Sequence, residues 1–543
     1  MSTSAPERAR EAFQAWRAAV NRDWFEDDPH LQSLLQFHGR ESDLLAEYGL
    51  LCATQIDPLV RENNRDEHLP RLRRWDGQGR RIEAVDFHPT YHQIGRLAYG
   101  SGVMAMYGTP GRELESLAQM YLFSQNGEGG HACPMACTAG LIKILQADEA
   151  NHSAWLSRLL DPAYDQHFHG AQFLTEVQGG SDVGANAVRA VPDGDGRWRL
   201  YGEKWFCSVI DADLFLVTAR IEDAGPGTAG LGAFVVPRTL ENGQTNQFHI
   251  RRLKYKLGTR SMASAETDFE GAIATRVGDF RTTVDIVLNT SRLYNAMCSC
   301  GALQRAWREA FHYARTRTAF GQPILQFPAV ARIVAHLRTE AYAARGLTFA
   351  LAALFDRQAT RGLDDTERAA TRMLVNLNKY WTSVQSTLAV RDAIEVLGGN
   401  GAIEEFTVLP RLLRDMIVCE AWEGGHNVLC AQALKDSRKL GLHQGLFALL
   451  KSWGAPEERL AQVEHDWEAL LSAPPEVAGL HMRDVIDRLR PLAQVAALRR
   501  EAASDDSDPI LPQVIEHLLA TTEPGHDPLR DTTLAERVRA LTA

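Results

Sequence analysis

Five short segments carry residue types that could bind or transform a small molecule. The first, Leu174–Asp182, reads LTEVQGGSD, and its glycines, hydroxyls and free N–H groups suit a flat, polar-edged ring or a phosphate. The second, Gly202–Ser208, places Trp205 and Phe206 side by side on a predicted strand, so that one could cover a ring while the other packs in the core. Taken singly, these segments are also typical of a tight turn and of two core aromatics.

Two further segments end predicted helices with glycine. In Arg317–Pro323, the arginine could clamp a pyrophosphate through charge-assisted hydrogen bonds. In Glu395–Gly401, the glycines would let another backbone or a ligand approach closely. The ordinary alternatives are a cation at a helix C-terminus before a glycine cap, and a simple helix stop.

The fifth segment, Ala421–Asn427, presents a candidate general base. Glu423 is flanked by a tryptophan and by two glycines. Apolar neighbours would raise the pKa of its carboxyl by desolvation and make it a usable base near neutrality. The alternative is an acidic residue that is favoured only by the dipole at a helix N-terminus.

Histidine and cysteine pairs were considered as metal ligands. His167 and His169 alternate on a predicted strand and could share a face, but no third ligand is evident, so we expect surface histidines and no metal. Cys133 and Cys137 lie four residues apart on a predicted helix and are expected to be buried structural thiols.

The predicted helices and strands occur in a definite order along the chain, and the five segments lie among them. Residues 1–170 read mostly as helices, for example over Leu31–Leu51 and Ala132–Leu145. Short β-rich runs follow at Asn186–Val191, Trp198–Phe206, Leu214–Arg220, Leu231–Pro237, Phe248–Leu253 and Ala265–Glu270. Long helical periods return over Ala329–Phe355 and Ala369–Leu397, as in a bundle. Amphipathic helices are predicted again beyond residue 440.

This order predicts an α+β, mainly helical protein of four domains. They are an N-terminal helical domain (1–170), a central β-barrel or sandwich domain (171–283), a C-terminal four-helix bundle (284–440) and an additional helical domain (441–543).

Composition narrows the function classes. The chain has 543 residues and a net charge of −11, so no global field attracts nucleic acid or anionic lipid. No apolar stretch is long enough to span a membrane, and the first residues lack the apolar core of a secretory signal. Eight irregularly spaced cysteines are typical of reduced thiols, which predicts a cytoplasmic protein.

All five segments occur in one chain, in this order, across a helix–strand–helix layout. Over roughly residues 100–440 the chain resembles the acyl-CoA dehydrogenase flavoprotein family. The resemblance implies an N-terminal helical domain, a central β domain and a four-helix bundle, with FAD between the β domain and the bundle. It also implies a homodimer or homotetramer, because a neighbouring subunit completes the FAD site.

The resemblance assigns roles residue by residue. Phe206 falls at the usual tryptophan position beside the flavin, Ser208 at a usual threonine position, Glu423 at the catalytic base and Arg292 at an arginine beside the acyl-CoA chain. The other residues implied to bind FAD are Leu174, Thr175, Gly180, Ser181, Arg317, Phe320, Gly398, Gly399, Gly401 and Asn427. Of these, Arg317, Phe320 and the three glycines at 398, 399 and 401 would reach the FAD of the other subunit.

The implied reaction is α,β-dehydrogenation of an acyl-CoA thioester in fatty acid metabolism. Glu423 removes the α-proton and the β-hydrogen leaves as hydride to flavin N5, with electron-transferring flavoprotein as the expected acceptor.

The stretch Lys256–Glu266, the total length and the helical tail resemble the AidB-like subgroup of the family. That subgroup implies an alternative role as a DNA-associated flavoprotein of the alkylation response. The tail, 441–543, carries ten Lys and Arg against seventeen Asp and Glu, a net charge of −7, so nucleic acid is an unlikely partner. A flavin monooxygenase on the same fold is a second alternative, and retention of Glu423 favours dehydrogenation over it.

Overall fold

The computed structural model describes residues 4–40 and 43–543. The described residues exclude Met1–Thr3, which begin the segment in which no secretory signal is predicted. They also exclude Glu41 and Ser42, which lie inside the predicted helix Leu31–Leu51. The described chain divides into two compact units, and each is described by itself. Unit 1 comprises Met1–Asp57, Glu113–Gly127 and Asn295–Ala543, and unit 2 comprises Pro58–Arg112 and Glu128–Tyr294.

The α-helices are α1 (Ala5–Val20), α2 (Pro29–Phe37), α3 (Asp43–Leu51), α4 (Asp57–Asn63), α5 (Pro89–Gly100), α6 (Glu113–Ser124), α7 (Gly129–Gln146), α8 (Glu149–Leu159), α9 (Phe280–Thr316), α10 (Pro328–Thr360), α11 (Asp365–Leu397), α12 (Leu409–Ala421), α13 (His426–Leu440), α14 (Leu442–Ser452), α15 (Glu457–Ser472), α16 (Pro475–Ala502), α17 (Leu511–Thr521) and α18 (Leu534–Thr542). The strands are β1 (Arg71–Trp75), β2 (Arg81–Asp86), β3 (Gly170–Phe173), β4 (Arg189–Pro192), β5 (Arg197–Ser208), β6 (Leu214–Ile221), β7 (Leu231–Pro237), β8 (Phe248–Leu253), β9 (Ser264–Arg276), β10 (Thr318–Ala319) and β11 (Gln322–Pro323).

Unit 2 is built around a β-barrel. Strand β5 pairs antiparallel with β4 and β9, β9 pairs with β7, and β7 pairs with β6, which in turn pairs in parallel with β4 and so closes the ring. Strand β3 extends the sheet beside β6, and β8 extends it beside β9. The predicted central β domain is therefore confirmed as a barrel, and each predicted run overlaps one of β4 to β9.

The expectation that residues 1–170 are mostly helical missed a hairpin, β1–β2. Three of the five residues of β1 are arginines, at 71, 73 and 74, so the alternation of apolar and polar residues that signals a strand is weak. The carboxylate of Asp76 accepts the N–H groups of Gln78 and Arg80 and closes the turn. Buried Glu83 accepts the N–H of Ile250, 2.9 Å away, which ties the hairpin to β8.

The predicted helix Leu31–Leu51 is two helices. Helix α2 ends at Phe37, and Gly39 then adopts a φ of +65°, in the left-handed region that glycine favours. The N–H of Arg40 bonds back to Leu35 O at 2.8 Å and completes this C-terminal turn. Apolar periodicity continues on both sides of the break, which is why the sequence pattern did not mark it.

Unit 1 contains the predicted long helices, because α10 and α11 each run for 33 residues and span the predicted segments. The tail helices α16, α17 and α18 all pack on α10, and α14 packs on α11. The apolar cluster at this junction contains Ala335, Tyr342, Ala343, Val495, Leu498, Leu511, Val514, Leu518, Val538 and Leu541. The tail is therefore helical, as predicted, and it belongs to unit 1, while its prediction as a separate domain stays a prediction.

Arg345, on α10, lies in the interior of unit 1 and is almost fully buried. Its guanidinium donates to Asp28 and to the hydroxyl of Tyr121. It also donates to His30 Nδ1, which lies 3.0 Å from Arg345 Nε and leaves His30 Nε2 to donate to Glu501 at 2.9 Å. Helices α2, α6, α10 and α16, and the N-cap of α2, therefore meet at one buried charge network.

The expectation of surface histidines at His167 and His169 is wrong. His167 is buried, and both rings contact Tyr99, at centroid distances of 4.6 Å and 5.0 Å. The same cluster in unit 2 contains buried His131. Burial lowers the pKa of His131 and of His167 to about 4, so both are neutral at physiological pH. Cys137 is buried as expected, while Cys133 is half-buried.

We predict that Arg345→Met lowers the free energy of unfolding by about 3–5 kcal/mol, because it leaves the buried carboxylate of Asp28 without its cation. Urea denaturation measures the change. The matched control is Arg368→Met, which removes an exposed ion pair with Asp365 and should cost at most about 1 kcal/mol. Equal losses in the two variants would contradict the network's role.

We also predict that stability falls as the pH drops from 6.5 towards 4. The unfolded chain binds protons at His131 and His167 in this range while the folded protein does not, and each contributes about 1.4 kcal/mol per pH unit. Their contribution is fully present above pH 6.5. Thermal melting between pH 5 and 7 should show a shallower pH dependence in the double variant His131→Gln/His167→Gln, and an unchanged slope would refute the assignment.

Candidate active site

The segment Leu174–Asp182 forms a loop that follows β3 in unit 2. Its turn is closed by reciprocal backbone hydrogen bonds between Glu176 and Gly179, of 3.2 Å and 3.1 Å. A Cβ at Gly180 would lie 2.8 Å from Thr175 Oγ1, so only glycine fits there without displacing the threonine. The loop is joined to β5 because Trp205 N–H donates to Thr175 O at 3.0 Å.

A buried ion pair lies beneath this loop. Lys204, on β5, donates to Glu176 Oε1 at 2.7 Å and to the carbonyl of Leu174 at 3.0 Å. The Glu176 carboxylate also accepts the backbone N–H groups of Ala187 and Val188. Burial lowers the pKa of Lys204 to about 8, and the charge of Glu176 opposes this shift. The pair thus fixes the loop backbone from below.

Trp205 and Phe206 do not divide into a core ring and a surface ring. A register shift in the β5–β9 pairing between Lys204 and Cys207 breaks the strict alternation. Phe206 is 48% exposed and Trp205 is half-buried, and the Lys254 ammonium lies 3.3 Å from the Trp205 ring centroid and 4.8 Å from that of Phe206. The reading of both as core aromatics is therefore wrong.

Two other predicted residues also lie in unit 2. The hydroxyl of Ser208, at the end of β5, is 3.0 Å from that of Ser264 on β9. Arg292, on α9, is half-buried, and the neighbouring Ser291 hydroxyl donates to Gln172 of β3 at 3.2 Å. Leu174, Thr175, Gly180, Ser181, Phe206 and Ser208 are thus brought onto one loop and the strand that supports it.

In unit 1, an aromatic group joins Arg317 to the glycine turn after α11. The Arg317 guanidinium lies 5.7 Å from the ring centroid of Phe13, which stacks on Tyr313 at 6.5 Å. The hydroxyl of Tyr313 accepts from Asn400 Nδ2 at 3.0 Å, within the turn Gly398–Ala402. The structure therefore brings Arg317 and this glycine turn together.

Two glycines of this turn are required by the conformation of the backbone. Gly398 has a φ of +61°, and a Cβ at Gly401 would lie 2.7 Å from Ile394 O, so both are needed to end α11 as it does. A Cβ at Gly398 or Gly399 would have nothing within 4 Å, so that face of the turn is open.

Phe320 lies at the tip of the β10–β11 hairpin. It is 98% exposed and has a φ of +51°, an unusual conformation for a bulky side chain. The ring of Phe320 therefore extends from the tip of the hairpin into solvent.

Glu423 lies in the turn between α12 and α13, and its φ is +56°. Buried Lys379, on α11, donates to the carbonyls of Glu420 and Gly424 at 3.0 Å and 3.1 Å. The ammonium thereby holds both sides of the turn. Asn427 is exposed in the first turn of α13.

Sequence reasoning missed Lys204, Glu176 and Lys379 as functional residues. The available signal was a charged side chain inside an otherwise apolar strand or helix, since such a residue is buried only with a partner. Its partner, however, is not visible in a single sequence.

The residues present fit FAD. The loop 174–181 contains glycines and is held from beneath by the Lys204–Glu176 ion pair, and the exposed ring of Phe206 suits stacking on a flat heterocycle. The open glycine turn and the cation of Arg317 suit a pyrophosphate. Within residues 4–40 and 43–543, no three His, Cys, Asp or Glu side chains are grouped to hold a metal ion. The helices of that same part of the chain include none that could cross a membrane.

Three family models match the chain. They are the adaptive response protein AidB N-terminal domain over residues 15–166, the acyl-CoA dehydrogenase middle domain over 171–272 and the acyl-CoA dehydrogenase C-terminal domain over 280–437.

Relatives match most of the chain. AidB of Escherichia coli (strain K12) is 34% identical over 429 residues, which are 76% of this chain and 76% of AidB. Acyl-CoA dehydrogenase family member 11 of Caenorhabditis elegans is 30% identical over 478 residues, 82% of this chain and 76% of that protein. The crystal structure of Caenorhabditis elegans ACDH-11 in complex with C11-CoA has a TM-score of 0.86 at 26% identity and covers 96% of this chain and 94% of that one.

These findings confirm the predicted family, its AidB-like subgroup and the predicted fold class. The chain belongs to the acyl-CoA dehydrogenase family and is an oxidoreductase with FAD as its cofactor.

Proposed function

We propose that the chain catalyses α,β-dehydrogenation of an acyl-CoA thioester with Glu423 as the base. The observation that carries this proposal is the conformation of Glu423, a non-glycine residue at a φ of +56° in a turn held by Lys379. Such a conformation costs about 1–3 kcal/mol and persists only where its surroundings enforce it, typically at an active site. The family match over 280–437 includes this turn.

In this mechanism the chain's residues position and deprotonate the substrate. Lys379 fixes the backbone on both sides of Glu423, so the point from which its side chain extends is held in place. Glu423 accepts the α-proton of the thioester, a step for which a positioned base contributes about 10²–10⁴-fold. FAD bound at these residues would supply the hydride acceptor for the β-hydrogen, which leaves with the electron pair of its C–H bond.

The proposed FAD contacts follow the two groups described above. Leu174, Thr175, Gly180, Ser181, Phe206 and Ser208 form one set, and Arg317, Phe320, Gly398, Gly399, Gly401 and Asn427 form the other. In the first set, the backbone of a loop fixed by Lys204 meets the cofactor. In the second, the outward presentation of Phe320 supports a contact with the cofactor of another subunit, and hence a homodimer or homotetramer.

The substrate and acceptor are assigned by class. The complex of the Caenorhabditis elegans relative with C11-CoA supports an acyl-CoA substrate for this protein. In this proposal, Arg292 of this protein lies beside the acyl chain of the substrate. We propose electron-transferring flavoprotein as the electron acceptor, and a cytoplasmic role in fatty acid metabolism.

We predict that Glu423→Gln abolishes reduction by acyl-CoA, because an amide cannot accept the α-proton. Anaerobic titration with acyl-CoAs of increasing chain length should bleach the oxidised-flavin absorbance of the wild type. The variant should bind FAD normally and react at least about 10²-fold more slowly. A wild-type protein that carries FAD and is reduced by no acyl-CoA would refute the proposal.

We further predict that Glu176→Gln weakens FAD binding about tenfold, since Lys204 loses the counter-charge that holds it under the loop. Calorimetric titration of the apoprotein with FAD measures this. Glu203→Gln, on the same strand, removes an ion pair with the more exposed Arg251 and serves as the matched control. Equal affinities in both variants would exclude a role for the buried pair in FAD binding.

A further inference from the structure

The tail helix α16 reaches a buried residue of α11. Tyr380, on α11, is 2% exposed. Its hydroxyl donates to Asp487 Oδ1 at 2.6 Å and accepts from Arg483 Nε at 2.9 Å. The Arg483 guanidinium also lies 5.3 Å from the centroid of the Tyr380 ring. A buried tyrosine hydroxyl needs hydrogen-bond partners, and here the tail supplies them.

The Tyr380 ring also contacts the helix that follows the turn of the proposed base. The ring centroids of Tyr380 and His426 are 4.8 Å apart. His426 is the first residue of α13 and lies three residues after Glu423. Lys379, which precedes Tyr380, holds the carbonyls of Glu420 and Gly424. Two consecutive residues of α11 thus contact this region: Lys379 binds the turn, and Tyr380 packs against the first residue of α13.

Helix α16 is itself firmly held. It packs directly on α13 and on α10. Arg490 donates to buried Glu340 of α10 at 2.7 Å, and Gln494 donates to Gln385 of α11 at 2.9 Å. The helix therefore offers Tyr380 a fixed support rather than a mobile surface contact.

Stability alone does not account for the contact. The side chains of Arg483 and Asp487 are 44% and 50% exposed, so water would solvate either of them if its partner were removed. The Arg483–Asp487 ion pair itself adds little to the folding free energy, whereas the hydrogen bonds of both residues satisfy the Tyr380 hydroxyl. The two hydrogen bonds hold the hydroxyl end of Tyr380, whose ring contacts His426.

We infer that α16 braces the loop that carries Glu423, with Arg483 and Asp487 acting as positioning residues through Tyr380 and His426. The inference rests on the proposed function of Glu423 as the base. It gives the additional helical domain a role in the dehydrogenation, because the tail helps to keep Glu423 in the orientation in which the turn places it.

The test compares two variants of the full-length FAD-loaded protein with a matched control. Arg483→Ala removes one partner of the hydroxyl, and Tyr380→Phe keeps the ring against His426 but cuts its link to the tail. Arg488→Ala is the control, because Arg488 lies on the same helix, is 45% exposed and pairs with Asp466 of α15 at 2.8 Å.

The first measurement is amide hydrogen exchange over residues 420–429, which needs no substrate. We expect Arg483→Ala and Tyr380→Phe to raise exchange there by roughly 5- to 30-fold, with no change in Arg488→Ala. Unchanged exchange in both test variants, or an equal rise in the control, would overturn the inference.

The second measurement is anaerobic flavin reduction by an acyl-CoA. We expect the limiting rate to fall about tenfold while the half-saturating concentration stays the same, since the base is misplaced and substrate binding is not. A limiting rate equal to that of the wild type in a loosened loop would overturn the positioning role. If the wild type is not reduced by any acyl-CoA, the proposed function fails, and hydrogen exchange still decides whether the tail braces the loop.

Discussion

A charge removed from water must find a partner, and Arg345 shows how strongly this requirement constrains unit 1. A guanidinium without a counter-charge in the interior would cost several kcal/mol. Its partners come from α2 and its N-cap, from α6 and, through His30, from α16. Asp28 and Tyr121 are 93 residues apart in the chain and Asp28 and Arg345 are 317 apart, so one buried cation joins segments that are distant in sequence. Arg305 acts in the same way, between Asp57 and Glu309.

Buried lysines apply the same constraint to the loops that carry the proposed chemistry. Lys204 binds the carbonyl of Leu174 in unit 2, and Lys379 binds those of Glu420 and Gly424 in unit 1. An ammonium offers three donors on a flexible stem and can hold main-chain oxygens whatever side chains the loop carries.

Charged side chains of the tail take part in the interior of unit 1. Its acidic residues include buried Glu501 and Asp508, which bond to His30 and Tyr342. Two basic side chains of the tail are engaged internally: Arg459 bonds to Leu519 O and Thr522 O, and Arg537 pairs with Asp531. Phosphate recognition needs cations that face outward, and a net charge of −7 works against it.

The sequence by itself determined the order of helical, β and helical regions, the positions of β4 to β9 and the segments that carry the candidate site. Local periodicity and glycine placement encode these features, because they depend on residues only a few positions apart. It did not reveal the β1–β2 hairpin or the burial of His167, and it did not identify the partners of Lys204, Lys379 and Arg345. Only the tertiary structure decided these, since a buried polar group is satisfied by whichever distant residue the fold brings to it, and that pairing leaves no local pattern.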